Sequence, residues 1–119
     1  IATSRLRRAA KARVPDPVSE SEFVEFEELE SGKTCAVEYG PFKVLICNLD
    51  GELFGVENVC THTHVLLTSA RLIDSEIECP VHGARFDVRS GIVMCPPARR
   101  GLRTFSVEPV AGGALVSLR

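Results

Sequence analysis

Two short segments, Cys60-Thr61-His62 and Cys79-Pro80-Val81-His82, each place one cysteine beside one histidine, and sixteen residues separate them. Each segment therefore offers one soft thiolate and one imidazole. A zinc finger groups its cysteines in one segment and its histidines in another. Mixed pairs suit a two-iron, two-sulfide cluster in which one iron takes both cysteines and the other takes both histidines. Replacing two thiolates by neutral imidazoles leaves such a cluster less negative, so an added electron costs less. The pattern points to an electron carrier. The alternative use of the same four residues is a Cys2His2 zinc site that only staples two loops together.

With Gly83, Arg85-Phe86-Asp87 and Ser90-Gly91 following, the two segments resemble the cluster signature of Rieske ferredoxins. The likeness is greatest to the ferredoxin components of bacterial aromatic-ring-hydroxylating dioxygenases, and it runs from about Phe23 to the C-terminus. It implies a Rieske-type [2Fe-2S] cluster with Cys60 and Cys79 on the inner iron and His62 and His82 on the outer one. It also implies that the histidine edges meet solvent, where an electron leaves for a docked partner. The partners implied are a flavin-containing, NAD(P)H-dependent ferredoxin reductase and a terminal ring-hydroxylating oxygenase. The protein itself would perform no substrate chemistry and hold no catalytic residue.

The resemblance assigns further roles. Pro96-Pro97 matches a proline loop that covers the cluster, and Gly83 stands where the backbone approaches it and presents amide donors. High-potential members add a disulfide between the ligand loops and hydroxyl donors to sulfur. The matching positions here are Val65, Val81, Ala84 and Phe86, which supply neither. The potential is therefore expected toward the low end, about -150 mV. Thr63-His64 and Ala70 depart from glycines frequent in the family, so loop conformation and partner surface are expected to differ. His64 is read as an exposed loop histidine, and Cys95 as a packing residue beside the proline loop. The second functional reading is the Rieske domain or small subunit of a larger oxidoreductase. A catalytic oxygenase needs a mononuclear iron site of two histidines and a carboxylate, and His64 is the only spare histidine.

These loops need a frame. Strand patterns begin at Phe23-Val24-Glu25-Phe26 and continue over 34–39 and 43–49. Asp50-Gly51 signals a type I′ hairpin with a return strand over 52–56. Further pairs are expected over 71–73 and 76–78, turning at Asp74-Ser75, and over 84–88 and 92–94. Strands over 104–108 and 114–118, joined across Gly112-Gly113, complete the set. Short strands with frequent turns and no convincing helix predict an all-β, antiparallel sandwich of small sheets. The family likeness, not the periodicity, places both ligand loops at one tip.

The chain of 119 residues is long enough for one domain with a core. Of its fourteen basic residues, five (Arg5, Arg7, Arg8, Lys11, Arg13) lie in the first fourteen positions, where there is no acid; the rest carries nine against sixteen, near -7. Residues 1–17 are read as a basic arm ending at Pro15-Asp16-Pro17, and 18–119 as the Rieske domain. The arm is expected to be a solvated extension with a short helix through Leu6, Ala9, Ala10 and Ala12, a transit-like segment being the alternative. Starting on Ile1 rather than Met, the chain is expected to have lost or continued into upstream residues. An acidic body and an arm without aromatics argue against nucleic acid, and no run approaches the ~18 apolar residues of a membrane span. No secretory signal is visible, so a cytoplasmic protein is expected. Cys35, Cys47 and Cys95 are then read as reduced, buried thiols.

Overall fold

The computed structural model describes residues 21–119 apart from His62 and His82. The basic arm, with the short helix expected in it and the boundary expected at residue 17, lies outside the described residues, as do the two histidines. Ten strands build the described chain: β1 (Glu22–Glu25), β2 (Thr34–Tyr39), β3 (Phe42–Leu49), β4 (Glu52–Glu57), β5 (Arg71–Ile73), β6 (Glu76–Glu78), β7 (Arg85–Asp87), β8 (Val93–Cys95), β9 (Thr104–Val110) and β10 (Gly113–Leu118). There is no helix among the described residues, and so none long and apolar enough to cross a membrane. The expected strands are all present, within a residue or two at their ends.

All pairing is antiparallel, in two sheets. The larger has the order β1-β10-β9-β4-β3-β2 and the smaller β5-β6-β7-β8. With six strands and four, they make the all-β, antiparallel sandwich expected from the sequence. The turn between β9 and β10 differs from the one expected: Gly113 belongs to β10, paired with Val110, and Gly112 takes the left-handed turn position with φ 81°. Gly113 can join the strand because its missing side chain lets the Val24 carbonyl of β1 come close; a Cβ there would overlap that oxygen.

Strand β3 explains how the two sheets share one interior. Its residues 44–48 are all buried, and alternate side chains go to opposite sides. Val44 and Ile46 join Tyr39, Phe105, Ala114 and Val116 on one side. Leu45 and Cys47 join Cys60, Ile77, Cys79, Ala84 and Phe86 on the other, between the sheets. A strand covered on both faces reads as a continuous apolar run rather than an alternation. The two cysteines of the motif are thus part of the inter-sheet core.

Turns carry the signals expected of them. Asp50 and Gly51 both have positive φ, 55° and 95°, as a type I′ hairpin demands. The buried Asn48 braces that hairpin, accepting the Gly51 amide at 2.7 Å and donating to the Leu29 carbonyl at 2.6 Å.

Candidate metal centre

β4 leads into the first loop and β6 into the second, so Cys60 and Cys79 leave strands of different sheets. The two loops close in the same way. The Cys60 amide donates to the Val65 carbonyl at 2.8 Å, and the Cys79 amide donates to the Ala84 carbonyl at 2.7 Å. Each loop therefore spans five residues from its cysteine to the acceptor. Each also turns at the fourth residue after the cysteine, where the backbone is left-handed: φ is 62° at His64 and 74° at Gly83. Glycine adopts that conformation without strain, whereas a residue with a Cβ does not. The exposed His64 is held there by its amide, which donates to the Cys60 carbonyl at 2.8 Å.

The loops are held from outside as well. Asn58, itself buried, accepts the Leu67 amide at 2.9 Å and donates to Thr68 Oγ1 at 2.8 Å, closing the return of the first loop. Thr61 Oγ1 donates to the Arg100 carbonyl at 2.6 Å, tying the first loop to the segment after Pro96-Pro97. In that segment Ala98 packs in the same core cluster as both motif cysteines. The stem of the second loop carries a row of charges, with Glu78 between Arg85 at 3.4 Å and Arg71 at 3.8 Å. Such half-exposed pairs contribute little each, but they lie in register across β5, β6 and β7.

Cys60 and Cys79 are 0% and 1% exposed, and their thiols face one another. Burial pushes the Cys79 thiol up from its ordinary range; the Val81 amide offsets part of this, and the neighbouring Cys60 thiol adds to the rise. Two buried thiols side by side are poor isolated acids and good joint ligands, because a bound cation stabilises the thiolates that burial disfavours. Thr63 Oγ1 is buried with no hydrogen-bond partner. It still lies close enough to Cys79 to draw its pKa down, a proximity short of a hydrogen bond. Paired thiols and an unreceived hydroxyl hydrogen fit a metal–sulfur group.

Of the four predicted ligands, the structure brings Cys60 and Cys79 together, while His62 and His82 lie outside the described residues. The other cysteines stand apart. Cys47 is fully buried, its thiol pushed up to about 12 by desolvation. Cys35 and Cys95 are half-buried rather than buried, as they sit near the sheet edges; Cys95 pairs with Arg85 and is outside the core cluster. All five are free thiols. Val65 and Val81 pack against the cluster, and Ala84 and Phe86 are within it.

The remaining motif residues are architectural. Phe86 is fully buried, Ser90 Oγ donates to Asp87 Oδ2 at 2.8 Å, and a Cβ on Gly91 would overlap the Leu102 carbonyl oxygen. Sequence reasoning missed the roles of Asn58, Thr61 and Thr63. The pattern Cys-Thr-His contains Thr61, but its acceptor lies 39 residues away, where no local signal reaches.

A family model described as the Rieske [2Fe-2S] domain matches residues 20–106. The ferredoxin component of biphenyl 2,3-dioxygenase from Rhodococcus jostii (strain RHA1) is 37% identical over 91 residues, 76% of this chain and 85% of that protein. The structure of the ferredoxin of carbazole 1,9a-dioxygenase from Nocardioides aromaticivorans IC177 superposes with a TM-score of 0.75 at 26% identity. It covers 85% of this chain and all of that one. A second structure, the complex of reduced oxygenase and oxidised ferredoxin in carbazole 1,9a-dioxygenase, matches with a TM-score of 0.75 and 26% identity over 83% of this chain and 94% of that one.

Proposed function

Because this chain belongs to the Rieske [2Fe-2S] domain family, we propose that it works as the ferredoxin of an aromatic-ring dioxygenase system. It would take single electrons from a flavin-containing, NAD(P)H-dependent reductase and deliver them to a terminal oxygenase. The observation that carries this reading is the convergence of two buried thiols on two loops that share one closure, beside relatives named as ferredoxin components.

Cys60 and Cys79 are the proposed thiolate ligands, with His62 and His82 completing the set. Bound there, a [2Fe-2S] cluster supplies a one-electron couple whose potential the histidine ligands raise above that of an all-cysteine cluster. The chain's own residues do the rest. Asn58 and Thr61 fix the first loop, the Glu78 row steadies the stem of the second, and the inter-sheet core excludes water from the thiol side. No side chain at Val65, Val81, Ala84 or Phe86 can donate a hydrogen bond, which favours a low potential.

Docking would be brief and shallow, as befits a carrier with two partners. The exposed apolar side chains near the loops are Leu66, directly after the first loop's acceptor Val65, and Met94, next to the Cys95 that pairs with Arg85. Arg99, Arg100 and Arg103 line an open groove together with the exposed Ile92, and the Thr61 bond fixes that segment to the first loop. A partner with an acidic rim would suit it. A cytoplasmic setting, where thiols stay reduced, agrees with five free cysteines.

The test is iron and acid-labile sulfide content with EPR of the dithionite-reduced protein, followed by turnover with a reconstituted reductase and oxygenase. Two irons, two sulfides and a reducible signal are expected. Anaerobically purified protein that holds zinc alone and accepts no electron would overturn the proposal.

A further inference from the structure

Among the described residues, Thr63 Oγ1 is a buried side-chain oxygen with no hydrogen-bond partner. Buried hydroxyls are rarely left so, because the lost hydration is not repaid. The neighbouring polar groups of the loop are committed elsewhere: Thr61 Oγ1 to the Arg100 carbonyl, the His64 amide to the Cys60 carbonyl, and Thr68 Oγ1 to Asn58. Thr63 is in the first loop, yet its unpartnered hydroxyl lies near enough to the second loop to lower the pKa of the Cys79 thiol without a hydrogen bond to it. A hydroxyl holds one hydrogen to give, and a thiolate can only accept. The apolar side chains of Val65, Val81, Ala84 and Phe86 offer no competing donor.

We propose that Thr63 is a positioning residue that donates its hydroxyl hydrogen across the site to the Cys79 sulfur once that sulfur is a metal-bound thiolate, and so favours the reduced protein. The inference rests on the cluster reading above. When one electron arrives from the reductase, the ligand sulfur becomes more negative while the hydrogen stays on Oγ1; no bond breaks. Hydrogen bonds strengthen with charge on the acceptor, so the reduced form gains more than the oxidised form. Thr63 would hold the potential above the value that the second loop, which gives that sulfur the Val81 amide but no side-chain donor, would set alone.

The experiment compares Thr63→Val, Thr63→Ala and Thr63→Ser with the parent protein. Iron, sulfide and the reduced EPR signal are measured first, then the potential by spectroelectrochemical titration. Valine and alanine are expected to weaken electron affinity about tenfold, which is about 59 mV lower for a one-electron couple. Serine, which keeps the hydroxyl, is expected to stay near the parent. If valine loads poorly, the alanine and serine pair decides. A loaded valine or alanine variant with the parent potential overturns the inference, as does a serine variant shifted as far as either. A parent protein without any [2Fe-2S] signal instead overturns the reading beneath it.

Discussion

The two loops close alike, yet they meet the demand of the left-handed fourth position differently. The second loop places Gly83 there, which needs no special support. The first places His64, a residue with a Cβ, and surrounds it with more fastenings: the Asn58 side chain at its return and the Thr61 bond to the Arg100 carbonyl. At the fourth position one loop relies on the freedom of glycine, with only weak ion pairs at its stem, while the other relies on side-chain bonds to distant segments. A shared geometry is therefore not evidence of shared local sequence; the second route works only where distant partners are in place.

The comparison can be broken hardest at the thiols. Cys79→Ala is expected to abolish cluster retention, read as loss of iron, sulfide and visible colour, because a lone buried Cys60 cannot hold one iron. His82→Cys should be milder, with weaker iron retention or a lower potential in a spectroelectrochemical titration; unchanged redox behaviour would count against His82 as a ligand. Asn58→Ala removes the side-chain fastening of the first loop, leaving the Leu67 amide only the longer bond of 3.4 Å to the backbone carbonyl of residue 58 and Thr68 Oγ1 without its donor. Urea unfolding should show a loss of about 1–3 kcal/mol.

The subtlest contrast lies at the fourth positions themselves. Gly83→Ala should cost about 1–2 kcal/mol, the strain of a left-handed residue with a side chain. His64→Gly should move the other way, a gain of about 0.5–1 kcal/mol once the entropy of glycine is set against that strain. Equal effects at the two sites in urea unfolding would show that the loops are not supported differently.

Much of the fold was legible because its signals are local. Asp50-Gly51 demanded a type I′ turn and has one, and 34–39 and 43–49 were recognised by apolar patterning that the strands carry within themselves. The extent of the larger sheet was not, since β1 joins β10 and β4 joins β9 across most of the chain length. The β9–β10 turn slipped for a related reason: Gly113 is a strand residue only because β1 lies against it. At the site, the mixed cysteine–histidine spacing announced metal chemistry, but the work of Asn58, Thr61 and Thr63 left no pattern. Thr63 registered only as a departure from a frequent glycine.

By itself the sequence determined the donor types, their order and the turns between strands, because those depend on chemistry and backbone preference within a few residues. Only the tertiary structure decided that Cys60 and Cys79 share one buried site and that the first loop leans on Arg100. It alone buried a threonine hydroxyl without a hydrogen-bond partner. Such contacts join residues far apart along the chain, so they exist only after the two sheets have packed.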